Sequence, residues 1–99
     1  MKKQQISKYE LNLQVLIKRE GDVFVAYTPA LDIATFGKTE SKAKKSFNEL
    51  VSTFFEEFLD SPRELEEVLT LQGWQKQKNT WQPPVVTNIT QNVQVNMAV

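Results

Sequence analysis

Apolar and polar residues alternate through residues 9–19, with Tyr9, Leu11, Leu13, Val15 and Ile17 on one side of an extended chain. A period of two predicts a half-buried strand. Glu20-Gly21-Asp22 supplies the turn, because glycine adopts positive φ at no steric cost. Residues 23–28, Val-Phe-Val-Ala-Tyr-Thr, are β-branched and aromatic and should return antiparallel as a hairpin. Pro29 ends that run, since it has no N–H to give to a ladder. Residues 31–36 predict a third strand and complete a short meander.

The period then changes. Gly37-Lys38-Thr39 breaks the strand and offers Thr39 as a helix N-cap. Apolar residues recur at 43, 47, 50, 51, 54, 55, 58 and 59, which is helical spacing over several turns. Phe47, Phe54, Phe55 and Phe58 lie among them, and burying each against the sheet is worth about 1.5–3 kcal/mol. The charges oppose the helix dipole, with Lys42, Lys44 and Lys45 near its start and Glu56, Glu57 and Asp60 near its end. Each costs a few tenths of a kcal/mol, so packing must hold this helix. Ser61-Pro62-Arg63-Glu64 predicts a second helix through a capping box with proline at the first position. Leu65, Val68 and Leu69 form its apolar stripe, which Leu71 could extend, and Gly73 stops it. Residues 74–81 read as one short strand ended by Pro83-Pro84. Laid parallel beside the first strand, it would make the long helix a right-handed crossover.

Residues 79–99 contain no charge. Within them Ile89, Val93, Val95, Met97 and Val99 alternate with Thr90, Asn92, Gln94, Asn96 and Ala98, a strand pattern with no charged or proline gatekeeper after Pro84. Such a strand is expected to pair, with its own subunit, a second copy or another protein. The alternative is a disordered tail, although disordered segments are normally charged.

Composition narrows the function. A chain of 99 residues makes one domain, and 12 basic against 12 acidic residues lack the basic excess of a dedicated nucleic-acid binder. Without cysteine there is no disulfide framework and no thiolate zinc site, and no metal or cofactor is expected. No apolar run approaches the roughly 20 residues of a membrane span. Residues 1–6 are basic but lack the apolar stretch of a signal peptide behind them, so the cytoplasm is the expected compartment. The sequon Asn88-Ile89-Thr90 then has no use. Histidine is absent, and Ser7, Ser41, Ser46, Ser52 and Ser61 sit in no nucleophile motif. No catalytic residue is expected, and the chain reads as a non-enzyme.

Three stretches in order resemble the HicB-like antitoxin family: Val25-Ala26-Tyr27-Thr28-Pro29-Ala30-Leu31, then Gly37-Lys38-Thr39 with Ala43 following, then Leu71-Gln72-Gly73-Trp74. The resemblance covers residues 9–75. It implies a partial RNase H-like α+β fold of order βββααβ: a three-stranded antiparallel meander, a long amphipathic helix, a short second helix, and a fourth strand parallel to the first. Residues 83–99 would add an extra C-terminal strand to this domain of residues 9–82. It also implies a protein that neutralises a small basic RNA-cleaving toxin of the HicA type. The family does not retain RNase H acid chemistry, and Asp22, Asp32 and Glu40 form no metal-binding arrangement here. Two departures stand out. Ser41 and Lys42 occupy positions where the family commonly has Glu. Many members also end in a DNA-binding domain, whereas residues after Pro84 show no helical period, so direct DNA binding is not expected.

Two functions follow from these readings. One is an antitoxin of a type II toxin–antitoxin pair. Its partner-binding residues would be Ile89, Val93, Val95 and Met97 on the neutral strand. Glu56, Glu57, Glu64 and Glu67 would add to them from an acidic segment, residues 49–67, in which seven carboxylates face Arg63 alone. The other is a toxin-less scaffold or orphan regulator that assembles into a homodimer or higher oligomer through the same strand. Lys38, Lys42, Lys44, Lys45, Lys76 and Lys78 could contact nucleic acid, but their scatter reads more simply as a solvated surface.

Overall fold

The computed structural model describes residues 9–98; the basic start at residues 1–6, Ser7 and Val99 lie outside it. The element order is β1 (Leu16–Glu20), β2 (Val23–Thr28), β3 (Ile33–Gly37), α1 (Glu40–Glu56), α2 (Pro62–Leu71), β4 (Gln75–Gln77) and β5 (Thr80–Gln82). This is an α+β arrangement with a three-stranded antiparallel sheet of order β1-β2-β3 and a separate two-stranded sheet, β4-β5.

The meander follows the predicted turns. Glu20 faces Val23 across a two-residue turn whose first residue, Gly21, has φ of 56°. Glycine at that position with positive φ suits a hairpin turn matched to strand twist. The first strand is shorter than its alternation predicts. Leu11, Leu13, Val15 and Ile17 are half-buried as expected, but only residues from Leu16 onward join the ladder. Register explains the difference. Leu16 pairs with Tyr27, so Gln14 would have to face Pro29, which has no N–H, and the chain turns away there.

Thr39 caps α1 as the sequence indicates, its Oγ1 accepting from the Lys42 amide at 3.0 Å. Helix α1 starts almost on top of β3. A Cβ on Gly37 would stand 2.5 Å from the Ala43 amide nitrogen, a distance no side chain tolerates. Ala26, Ala43 and Phe47 are buried at this junction, with Val15, Ile17, Phe24 and Val51 around them. A second cluster, Ala30, Leu31, Leu69 and Trp74, joins the end of α2 to the β2–β3 connection. Phe54 and Phe55 pack against it, with ring centroids 5.2 Å apart edge to face. Phe58 lies against Phe54 at 5.4 Å but two residues past the end of α1, so the predicted stripe is core in part: Phe47 is buried, Phe54, Phe55 and Phe58 are half-buried, and Leu59 is exposed.

Helix α2 begins with Pro62 as expected, but Ser61 makes no side-chain cap, so the capping box is not formed. Its far end is a Schellman motif: Trp74 N–H donates to the Leu69 carbonyl at 3.0 Å and Gly73 N–H to that of Thr70 at 3.1 Å. Gly73 has φ of 90°, which this motif requires and only glycine adopts freely.

The fourth strand departs from expectation. Residues 74–81 do not form one strand parallel to β1. They fold as a hairpin in which Gln75 pairs with Gln82 and Gln77 with Thr80, antiparallel. The break falls at Lys78-Asn79, where Lys78 takes φ of 56°. Tyr9 Oη donates to the Asn79 carbonyl at 3.2 Å and ties this turn to residue 9.

The expected C-terminal strand has no ladder partner among the described residues. Residues 83–98 are non-helical and, beyond Val86, exposed throughout. The dimensions, 66 × 29 × 20 Å with a radius of gyration of 17.1 Å, exceed the roughly 13 Å of a compact domain this size.

Candidate functional site

The neutral segment is the most exposed apolar part of the molecule. Ile89, Val93, Val95 and Met97 are each between 66% and 75% exposed. The sequence groups these four residues, and the structure leaves all of them open to solvent. Pro84 starts the segment beside α2, where its Cβ would lie 3.4 Å from a side chain at Gly73.

Glu56 closes α1 and Glu57 is its C-cap residue, while Glu64 and Glu67 lie three residues apart on α2 and so share a face. All four are exposed, and none is in an ion pair among the described residues. They flank the α1–α2 connection in the chain, two on each side of it. No hydrogen bond or ion pair among the described residues joins these carboxylates to Ile89, Val93, Val95 or Met97.

A shallow cleft of about 500 Å³ lies between α2 and the β4-β5 hairpin, lined by Pro62, Arg63, Leu65, Glu66, Lys76 and Trp81. Lys76 Nζ is 3.4 Å from Glu66 Oε2 and 5.9 Å from the centre of the Trp81 ring. Lys76 therefore belongs to this small structural tie between hairpin and helix. Lys44 is engaged with Glu40 at 3.4 Å, an i,i+4 pair on α1.

The outer face of the meander, opposite α1, escaped the sequence reading. The register places Leu16, Tyr27 and Ala34 in one row and Lys18, Val25 and Phe36 in the next. Phe36 is 66% exposed there. Strict alternation in residues 33–37 could have flagged it, because Phe36 falls out of phase with the inward residues Ile33 and Thr35.

Tyr27 also lies on this face. Its hydroxyl donates to Asp32 Oδ1 at 3.0 Å, and this hydrogen bond, with smaller contributions from burial and the Asp32 charge, raises the phenol above its ordinary value. Asp32 sits in the left-handed region at φ of 52°, which a short polar side chain tolerates. The pair braces the β2–β3 connection.

No group of three or more acidic residues among the described residues is arranged to hold a metal ion, and no described helix is long and apolar enough to cross a membrane. Compared with known protein families, curated proteins and solved structures, the chain matches none.

Proposed function

We propose that this protein is a HicB-like antitoxin that neutralises a small, basic, RNA-cleaving HicA-like toxin by surface contact. The observation that carries the reading is the uncharged, solvent-exposed C-terminal segment with Ile89, Val93, Val95 and Met97 on alternating positions. An extended backbone with free N–H and C=O groups adds readily to the edge of a partner's sheet, and alternate side chains then select the partner. The exposed carboxylates of Glu56, Glu57, Glu64 and Glu67 would steer a basic protein toward it. The β-meander and helix pair resembling the family's partial RNase H-like domain serve as the rigid body that presents both surfaces.

The test is co-expression with a small basic HicA-like protein encoded beside it. Full-length chain should restore growth, a chain ending at Gln82 should not, and Glu64→Lys with Glu67→Lys should slow complex formation in low salt. Equal toxicity with and without the full-length chain removes the proposal. The toxin-less scaffold is the second reading, and the same exposed segment favours it where no such neighbour exists.

A further inference from the structure

The meander has two edges, and they are built differently. β1 reads Leu-Ile-Lys-Arg-Glu, with Lys18 and Glu20 paired at 2.9 Å, so charge guards that edge against pairing with other chains. β3 reads Ile-Ala-Thr-Phe-Gly, with no charge and no proline, and no described strand lies beyond it. An unguarded edge bearing an exposed phenylalanine is one that a soluble protein keeps covered.

We infer that β3 pairs antiparallel with β3 of a second copy, joining two meanders into one six-stranded sheet about a two-fold axis at Thr35. The residues of β3 carry this assignment because the strand is complementary to itself about that point. Thr35 meets Thr35 of the second copy, and threonine pairs favourably across strands. Phe36 meets Ala34 of the second copy, large against small, on the outer face. Ile33 comes opposite Gly37 of the second copy on the face toward α1. Just outside each end of the paired strands, Asp32 of one copy and Lys38 of the other carry opposite charges. Shifting the axis to Phe36 instead sets Asp32 against Glu40. The same operation at β1 centres on Lys18 and sets two lysines against each other. The isologous contact therefore selects β3, and it selects one register.

This assignment uses neither the C-terminal segment nor the antitoxin reading, and it stands or falls separately from them. The chain contains no cysteine, which permits a clean test by crosslinking. Paired residues across an antiparallel ladder have Cα atoms about 4.5–5.5 Å apart, within the range a disulfide spans. Full-length Thr35→Cys should form a disulfide-linked dimer under mild oxidation, and Lys18→Cys should remain monomeric under the same conditions. Light scattering of the cysteine-free protein should show a concentration-dependent dimer. Ala34→Lys with Phe36→Lys, both on the exposed face, should weaken that dimer about tenfold or more while leaving circular dichroism unchanged. A chain that is monomeric at every concentration overturns the assignment. So does a dimer that survives the double lysine variant, or crosslinking at Lys18→Cys as ready as at Thr35→Cys.

Discussion

The indole Nε1 of Trp74 donates to the carbonyl of Ala30 at 2.7 Å across 44 residues of sequence, and both residues are buried. One side chain, just past the end of α2, thus packs against Phe55 at 6.3 Å and fixes the β2–β3 connection. Gln72 Nε2 donates to the neighbouring Leu31 carbonyl at 2.9 Å, so two hydrogen bonds pin the same loop. Trp74→Phe keeps most of the apolar volume but strands a buried carbonyl, which costs about 1–3 kcal/mol. Trp74→Ala should cost more, about 3–5 kcal/mol. Urea unfolding of the two variants should rank them in that order, and equal losses would mean that the hydrogen bond, which both variants lose, dominates and that packing adds little.

Gly37 is set by contact and not by backbone angle. A methyl group there meets the Ala43 amide nitrogen at 2.5 Å and Lys42 backbone at 2.7 Å, neither of which is a flexible side-chain end. Gly37→Ala should push α1 off the sheet and destabilise by about 1–3 kcal/mol or more. The transition midpoint in urea measures this directly, and a neutral result would mean that α1 stands further from β3 than described.

Lys78 offers the opposite case. It occupies the left-handed region at φ of 56° in a two-residue turn, with no side-chain reason to do so. A left-handed residue with a Cβ costs about 1–2 kcal/mol, partly offset by the extra chain entropy glycine loses on folding. Lys78→Gly should therefore stabilise the hairpin, by up to about 1 kcal/mol. Thermal unfolding should show a higher midpoint for the variant. A lower midpoint would show that the turn has another conformation.

Tyr27 and Asp32 give a pH signature. The folded phenol titrates above its ordinary value because it donates to Asp32. The associated stability is present while the unfolded phenol is still protonated, and it is lost as pH rises through the folded value. Asp32→Asn should bring the Tyr27 titration back toward ordinary tyrosine and flatten the alkaline decline in stability. Ultraviolet titration of tyrosinate in both proteins checks the sign, and an unchanged Tyr27 titration would exclude the hydrogen bond as the cause.

Local chemistry is what the sequence reports well. The Gly21 turn, the Thr39 cap, the stop at Gly73 and the phenylalanine stripe of α1 all depend on residues close in the chain, and each appears where its pattern places it. Long-range pairing is less legible. Nothing within residues 9–15 says that their would-be partner ends at Pro29, so the first strand reads too long. Residues 74–81 carry polar side chains in both phases, and only Asn79 hints that they turn back on themselves. The candidate surfaces divide in the same way. Lack of charge marks Ile89, Val93, Val95 and Met97 at sight, whereas the exposure of Phe36 depends on which face α1 covers.

The first turn of α1 has Glu40 to meet its dipole but also Lys42, and its last turn contains no basic residue. The three ion pairs among the described residues are all on the surface, where such pairs contribute little. Dissolved ions consequently relieve more strain in this helix than they remove support from it. Most marginal domains lose surface attraction in brine; this one should unfold at a slightly higher temperature there, a gain of a few tenths of a kcal/mol carried by the ends of a single helix.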